Sequence, residues 1–394
     1  MRRWWVRLGV AFVAAAALAA AGWFARDSLA DAWEWVADDG VEIVEGWTTS
    51  LRSLAEEIPE REVEVRSVVT ESRSALLVVG DGPGNAALAL LAVAPEGDAT
   101  LSLVPQRMLG VVPGYGEFRL DQALGFEGAE LAALTVMNRF GIRLDDVVAL
   151  PPGALAAAIG SPLIVDVPVA LFTQDGDATQ RVVADGRQAV DGPVAEVLLT
   201  DPGAGDVFEW LQRQGAVWRA ILERVVEEPD LADRLTAGAA RPTAVADLIL
   251  AVAASDQLHV ATIPVERVAG IGGETAFVAS SSAEEFVAER FDHLQLRDVR
   301  PPVEVLNGNG RIGATRVVAG NLVRLGFRVV RSDNADRFDY PTTEIIAQGR
   351  KGESAAWEVL EALGTGTVFI ELRAPSSVVD VTIIVGQDIP AGEG

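Results

Sequence analysis

Two glycine-rich segments of the sequence have the composition of phosphate-binding loops. In the first, Gly308, Gly310 and Gly313 stand in the pattern Gly-x-Gly-x-x-Gly between an expected strand, VEVL, and an expected helix, ATRVV. Glycines at these positions would let a dinucleotide approach the backbone, and a helix N-terminus favours phosphate. Asp333, about 20 residues further on, stands where a ribose ligand belongs. Two expected strands in succession after the helix, in a domain that soon ends, favour a tight structural turn instead.

The second segment is Gly80-Asp81-Gly82-Pro83-Gly84, which follows the expected strand ALLVVG. Its backbone amides could cradle an anion. However, the next run, ALALLAVAP, is typical of a strand and not of a helix. Because glycine and proline first of all mark turns, a hairpin turn is the preferred interpretation.

Few other residues offer chemistry. The chain has no cysteine, which excludes thiol nucleophiles, disulfides and thiolate metal sites. Its two histidines, His259 and His293, lie outside any zinc-binding spacing and are expected to be structural or surface residues. Asp145-Asp146 and Glu227-Glu228 are adjacent acids, whose side chains point apart on a helix or strand. We therefore expect both pairs on a solvated surface.

The overall charge excludes one class of partner. The 394 residues are 49% hydrophobic and carry a net charge of -25. Such a surface repels phosphate backbones, so we expect no nucleic-acid partner. The length is enough for two folded domains after the first segment.

The N-terminal segment predicts a membrane anchor. Positions 8–24 carry no charge; arginines precede this run and acidic residues follow it. With Trp4 included, about 20 residues could cross a bilayer, with the N-terminus inside and the bulk outside the cell. A signal peptide cleaved near Ala19-x-Ala21 is the alternative. We assign residues 1–26 to the anchor and residues 27–62 to an acidic stalk, for which packing on the domain or on a partner helix stays open.

Strand-like and helix-like runs alternate beyond residue 63, which predicts an α/β fold whose mixed sheet is covered by helices on both faces. We expect one strand at 163–172 and a late hairpin at 258–282. Pro301-Pro302 marks a boundary. After it, the order β-α-β-β-α-β-β predicts a small α+β domain of about 90 residues.

The order of these segments resembles the LytR-CpsA-Psr (LCP) family of cell-envelope proteins over residues 63–298. The segments that carry the resemblance are ALLVVG, LLAVAPEGDATLSLVP, PGYGEFRLDQAL, GAELAALTVMNRFGI, VVALPPGALAAAIGSPLIVDVP and ATIPVERVAGIGGETAFVAS. Residues 299–390 resemble the LytR C-terminal accessory domain. The segments there are VEVLNGNGRIGATRVV, NADRFDYPTTEI and VTIIVG.

The resemblance implies a magnesium-dependent transfer of a phosphoglycosyl group from a polyprenyl-pyrophosphate carrier to peptidoglycan. Carboxylates would hold the metal and arginines the pyrophosphate. This sequence departs from the family at those residues. It has Gly84-Asn85-Ala86 in place of Arg-x-Asp and Pro105-Gln106-Arg107 in place of Pro-Arg-Asp. Near the late arginine site it has Leu198-Leu199-Thr200-Asp201.

These departures predict a non-catalytic binding or scaffold protein of the cell membrane and envelope, with no catalytic residue, no metal ligand and no cofactor. Asp81, Arg107, Arg119 and Asp121 are the candidates for binding an anion or lipid headgroup. The expected partners are the membrane and a polyprenyl-phosphate lipid or cell-wall polymer. The alternative is a divergent, active magnesium-dependent transferase that uses the same four residues. A plain structural module without a ligand is the third interpretation.

Overall fold

The structure is a computed structural model that describes residues 73–80, 82–175, 178–270, 275–372 and 378–390. The predicted anchor (1–26), the predicted stalk (27–62) and the first residues of the predicted LCP-like region (63–72) lie outside these residues. Within the described ranges, no helix combines the length and the apolar character that crossing a membrane requires.

The chain folds into a mixed α/β structure with two five-stranded sheets. The strands before residue 300 are β1 (Arg73–Val79), β2 (Ala87–Val93), β3 (Ala99–Val104), β4 (Leu109–Val112), β5 (Gly116–Arg119), β6 (Asp146–Leu150), β7 (Leu163–Val167), β8 (Leu171–Asp175), β9 (Ala178–Val183), β10 (Gly186–Val190), β11 (Leu258–Thr262), β12 (Val265–Ala269) and β13 (Thr275–Ala279). The helices of this part are α1 (Leu120–Phe140), α2 (Ala154–Ile159), α3 (Gly192–Thr200), α4 (Val207–Glu227), α5 (Asp230–Thr236), α6 (Pro242–Ala253) and α7 (Ser281–Phe291).

The first sheet has the strand order β11-β3-β2-β1-β6. Its three middle strands are antiparallel, while β6 is parallel to β1 and β11 is parallel to β3. Alternate residues of β1 to β3 face two different cores. Leu77 and Leu101 lie in the core with α3, α4 and α6, whereas Leu76 and Leu90 lie in the core with α1 and α7. Burial on both faces explains the continuous apolar runs of these strands and confirms the predicted two-sided helical cover.

Two local predictions were wrong. The run 163–172, expected as one strand, divides at Pro168 into β7, which pairs with β10, and β8, which pairs with β9. Proline lacks the backbone N–H that would continue the ladder. The expected late hairpin at 258–282 is only partly correct, since β12 pairs with β13 but β11 joins the main sheet beside β3.

The C-terminal part begins at the predicted boundary and has the predicted order β-α-β-β-α-β-β. Its elements are β14 (Pro302–Asn307), α8 (Ala314–Arg324), β15 (Arg328–Asn334), β16 (Glu344–Gln348), α9 (Glu353–Leu363), β17 (Thr367–Glu371) and β18 (Val381–Val385). The sheet order is β15-β14-β18-β16-β17. Helices α8 and α9 pack on one face of this sheet, around Val305, Ile345 and Ile383.

Helix α1 links the two sheets. Leu134 and Met137 of α1 are buried in the core of the C-terminal sheet. The buried Asn138 donates from Nδ2 to the carbonyls of Val111 (3.1 Å) and Val329 (2.9 Å), and its Oδ1 accepts from the Val329 amide (2.9 Å). The Arg300 guanidinium donates to the Asn138 carbonyl at 2.9 Å. Burial, followed by repulsion from neighbouring arginines, lowers the pKa of Arg300 to about 10.

Candidate functional site

The loop that joins β1 to β2 lies where the resemblance places charged catalytic residues. It is a hairpin loop, since Val79 and Ala87 pair across it, as predicted. Gln106 follows β3 and is buried. Its Nε2 donates to the Gly84 carbonyl at 2.9 Å and its Oε1 accepts from the Ala86 amide at 3.1 Å. The neutral side-chain amide of Gln106 therefore holds the loop. The segments 84–86 and 105–107, which depart from the family pattern, are thus hydrogen-bonded to each other.

Asp121, one of the four predicted candidates, holds the same loop from the first turn of α1. The residue is 0% exposed, and its Oδ2 accepts from the Gly84 amide at 3.1 Å. Its Oδ1 accepts from Nε of Arg119, a second candidate, at 3.0 Å. The negative charge also suits a helix N-terminus. Asp121 is thus a buried, paired carboxylate that supports the loop.

Arg107 directly follows Gln106 in the chain. The backbone amides of Leu120 and Asp121 donate to the carbonyls of Met108 and Gln106, which brings the segment around Arg107 beside the start of α1. The side chain of Arg107 is half-buried and makes no hydrogen bond or ion pair with any described residue. Three of the four predicted candidates therefore lie together, and the fourth, Asp81, lies outside the described residues.

The residues that are described here do not fit a magnesium ion. Magnesium needs several oxygen ligands at about 2.0–2.1 Å in octahedral geometry. Asp121 is the carboxylate in this cluster, and both of its oxygens already accept hydrogen bonds. The segments 73–80, 82–175, 178–270, 275–372 and 378–390 contain no group of three or more acidic or histidine side chains placed to hold a metal.

The region of the late arginine site contains a buried arginine that the sequence analysis missed. Arg213 on α4 is buried, and its Nη2 donates to the Pro202 carbonyl at 2.8 Å. Burial lowers its pKa. The nearby Leu199 carbonyl accepts from Trp210 Nε1 and Gln214 Nε2. The sequence signal was weak, because Arg213 has the ordinary appearance of a charged residue on an amphipathic helix.

A groove of 820 Å³ runs along α4 and is lined by Leu103 of β3, but Arg107, Arg119 and Asp121 are not among its lining residues. This volume is within the usual range of ligand sites, about 300–1,000 Å³. Its apolar lining residues include Leu103, Leu163, Leu211, Ala216, Ala220 and Val260. The charged lining residues are Asp166, Arg187, Arg219, Glu223, Arg224 and Glu227. Because Leu103, Leu163 and Leu211 are almost fully buried, the exposed surface of the groove is mainly polar and charged.

The second glycine-rich loop, Asn307–Gly313, satisfies its own backbone. Asn307 Oδ1 accepts from the amides of Asn309 (3.2 Å) and Gly310 (2.9 Å), and Asn309 Oδ1 accepts from the Arg311 amide at 2.9 Å. These are amides that a phosphate would need. Asp333, the expected ribose ligand, is paired with Arg331 at 2.9 Å. The geometry is that of a closed structural turn.

The family model described as "LytR cell envelope-related transcriptional attenuator" (LytR_C) matches residues 300–388. This part of the chain carries a LytR_C domain. The match confirms the predicted accessory domain, and the LytR_C domain begins at the Pro301-Pro302 boundary. No match was found among curated proteins.

Solved structures resemble the chain only distantly. A transcriptional regulator from Enterococcus faecalis is 20% identical, with 56% of this chain and 88% of that chain covered and a TM-score of 0.45. TagV from B. subtilis is 17% identical, with 57% and 98% covered and a TM-score of 0.46. A LytR-Csp2A-Psr enzyme from Actinomyces oris is 15% identical, with 56% and 92% covered and a TM-score of 0.42. All three TM-scores lie below 0.5.

Proposed function

We propose that the chain is a membrane-anchored cell-envelope protein whose LCP-like part binds a polyprenyl-phosphate lipid or wall polymer without reacting it. The observation that carries the proposal is the bonding of Gln106 to Gly84 and Ala86. At three positions where the resemblance implies arginine or aspartate, the chain has the neutral residues Gly84, Ala86 and Gln106, which are bonded to one another. Removing a transition-state donor costs about 100- to 1,000-fold in rate, so losing several leaves little catalysis.

The backbone supports the same conclusion. Gly84 has a φ of 91°, a conformation that costs other residues about 1–2 kcal/mol. Ala86 is completely buried, so an aspartate there would place a carboxylate in the interior. The loop is therefore shaped for the residues that it has, and not for the Arg-x-Asp of the family pattern.

The binding part of the proposal rests on Arg107, whose half-buried side chain has no partner among the described residues. A guanidinium matches phosphate oxygens two at a time. The wall-polymer context and the membrane anchor come from the family resemblance and from the charge pattern of residues 1–26.

Incubation of the full chain in detergent with a polyprenyl-pyrophosphate sugar, magnesium and peptidoglycan tests the absence of catalysis. We expect neither transfer nor phosphate release above the buffer control. Robust transfer would overturn the non-catalytic proposal. It would favour the divergent transferase built on Asp81, Arg107, Arg119 and Asp121, in which Arg107→Ala would abolish transfer.

Binding has its own test, which is retention of polyprenyl phosphate by the purified chain, measured by mass spectrometry. Arg107→Ala should reduce retention about tenfold, the effect of losing about 1.4 kcal/mol. Arg181→Ala is the matched control, because Arg181 is exposed on β9 and away from the cluster. Equal retention by the wild-type chain and both variants would contradict the role of Arg107, and no retention at all would favour a structural module.

A further inference from the structure

The two edges of the first sheet are covered differently. At the β6 edge, Arg241 Nη2 donates to the Asp145 carbonyl at 2.6 Å and to the Asp146 carboxylate at 2.8 Å. A Cβ on Gly238 would lie 3.9 Å from the Ala149 carbonyl oxygen. The segment between α5 and α6 therefore lies against this edge. At the opposite edge, β11 pairs with β3 on one side, and no described strand pairs with its other side.

The hydrogen bonds to β3 show which backbone groups of β11 point outward. Ala99 N donates to the Gln257 carbonyl at 3.2 Å, and Ile263 N donates to the Leu103 carbonyl at 3.0 Å. Backbone groups alternate sides along a strand, so the even-numbered residues of β11 direct their N–H and carbonyl groups away from β3. These three N–H and three carbonyl groups form no hydrogen bond with any residue that the structure describes.

The β11 edge lies in a groove between two helices. Helix α4 covers one face of the strand, because a Cβ on Gly215 would lie 3.7 Å from Val260 Cγ1. Beyond the groove along α4, a second cavity of 360 Å³ shares Arg219, Val260 and Ala261 with it. Phe286 of α7 lines this second cavity from the other side. The two cavities together follow the whole length of β11.

This edge lacks the features that normally protect an unpaired strand, which are charged residues, proline or a bulge. The sequence of β11, LHVAT, contains no acidic residue, lysine, arginine or proline. Its pairing with β3 runs without a register shift. The helices on either side restrict what can pair with it. A second sheet would bring its own covering layers against α4 and α7, whereas a single extended segment fits between them.

The charges along the groove differ from one end to the other. The groove along α4 is lined by three acidic and three basic residues, so it favours neither sign of charge. At the end nearest Leu258, a third cavity of 230 Å³ has one arginine, two histidines and four carboxylates, which are Glu96, Asp98, Glu289 and Asp292. Neither Glu96 nor Asp98 has a side-chain hydrogen bond or ion pair with a described residue. This end, like the net charge of -25, attracts a basic side chain.

We propose that β11 is the docking site for an extended segment of another protein, which adds a sixth strand to the sheet and places a lysine or arginine in the third cavity. The outward N–H and carbonyl groups of β11 would bind the backbone of the segment, and its alternate side chains would face α4 and α7. No residue that lines the three cavities belongs to the cluster of Arg107, Arg119 and Asp121. The site therefore goes beyond the proposed function and does not depend on it.

Fluorescence anisotropy with the full chain in detergent tests the docking site. The probes are a labelled peptide with blocked ends, Lys-Thr-Val-Thr-Val-Thr, and the same sequence reversed, because a strand edge accepts a partner in either direction. We expect saturable binding of at least one peptide with a Kd on the order of 100 µM, since ordering a short flexible chain offsets much of the gain from its hydrogen bonds. No saturable binding of either peptide up to about 1 mM would overturn the proposal.

Methylation of the peptide backbone tests whether the contact is a strand ladder, and it leaves the protein unchanged. Two versions of the bound peptide are N-methylated, each at one of the two alternating sets of residues. In a ladder, one set donates its N–H groups to β11 and the other set points away from it. One version should therefore bind at least about tenfold more weakly than the other. Equal affinities of the two versions would overturn the proposal.

Charge variants test where the basic residue binds. Glu96→Gln combined with Asp98→Asn should weaken binding of the lysine peptide about fivefold, and should change binding of a peptide with alanine in place of lysine by less than about twofold. The matched control, Asp166→Asn combined with Glu223→Gln, removes the same charge at the other end of the groove and should have an effect below about twofold. Circular dichroism checks that both variants fold. Unchanged binding of the lysine peptide by the first variant would place the contact elsewhere and overturn the proposal.

Discussion

The two glycine-rich loops look alike in sequence and are held in opposite ways. The loop at residues 80–84 is fastened from outside, by Gln106 and by Asp121 of α1. The loop Asn307–Gly313 is fastened from within, by Asn307 and Asn309. In both, the chain itself uses amides that an anion would need. A glycine pattern thus shows where a backbone can bend sharply, and the surrounding side chains decide whether a ligand finds a donor there.

The largest expected effect is at the first loop. Gln106→Ala should lower the free energy of unfolding by about 2–3 kcal/mol, because the buried Ala86 amide loses its acceptor. Gln188→Ala is the control, since Gln188 makes one exposed hydrogen bond, to the Asp185 carbonyl. It should change the free energy by less than about 0.5 kcal/mol. Urea unfolding of the two variants measures the difference. Equal effects would mean that Gln106 does not hold the loop.

A second prediction compares one glycine from each loop. A Cβ on Gly308 would lie 2.6 Å from Ile384 Cγ2 and 2.8 Å from Tyr340 Cδ2, whereas one on Gly82 meets nothing within 4 Å. Gly308→Ala should therefore destabilise by about 2 kcal/mol through overpacking, and Gly82→Ala by less than about 0.5 kcal/mol. Thermal unfolding would show the order. A reversed order would contradict the close packing of the second loop.

Removing one of the side chains that hold the second loop from within should lower the free energy of unfolding by a smaller amount. Asn307→Ala leaves the Asn309 and Gly310 amides to be solvated by water, because the loop is partly exposed. We expect a loss of about 1 kcal/mol. Asn85→Ala is the matched variant in the first loop, since no hydrogen bond of its side chain holds that loop among the described residues, and it should be nearly neutral. Similar decreases in the free energy of unfolding for both variants would argue that the Asn307 side chain does not stabilise the second loop.

The last prediction is that the chain does not bind NAD. Titration of the chain with NAD, followed by calorimetry, should give no saturable binding, because the loop amides and Asp333 already have partners. Saturable binding that Asp333→Ala removes would restore the dinucleotide interpretation of the Gly-x-Gly-x-x-Gly pattern.

The sequence predicted local order well and long-range pairing poorly. The LytR_C domain was recovered with its element order, because each element there is short, strongly patterned and bounded by turn residues. Helices α3 and α6 were not predicted. Each carries a proline at its start, Pro193 and Pro242, and proline suits the first helical turn. Strand β11 was assigned to the wrong partner, since its pairing with β3 joins residues far apart in the chain.

The site shows the same division. The structure places the backbone of Arg107 beside Arg119 and Asp121, and their role in binding an anion or lipid headgroup stays a prediction. That Asp121 would be completely buried and Gln106 would bond Gly84 was beyond prediction, because both depend on how α1 and the end of β3 approach the loop. The departures from the family pattern could be read from the sequence, but the hydrogen bonds that replace the missing charges could not.

Because α1 contributes residues to both cores, the chain cannot be divided at residue 300 without disturbing both parts. A fragment that starts at residue 300 would lose Leu134 and Met137 from its interior and the Asn138 side chain from the rim of β15. A fragment that stops there would leave the same three residues in water. The LytR_C segment is thus not structurally independent in this protein. Transferring it to another chain would require the matching face of α1 to be transferred as well.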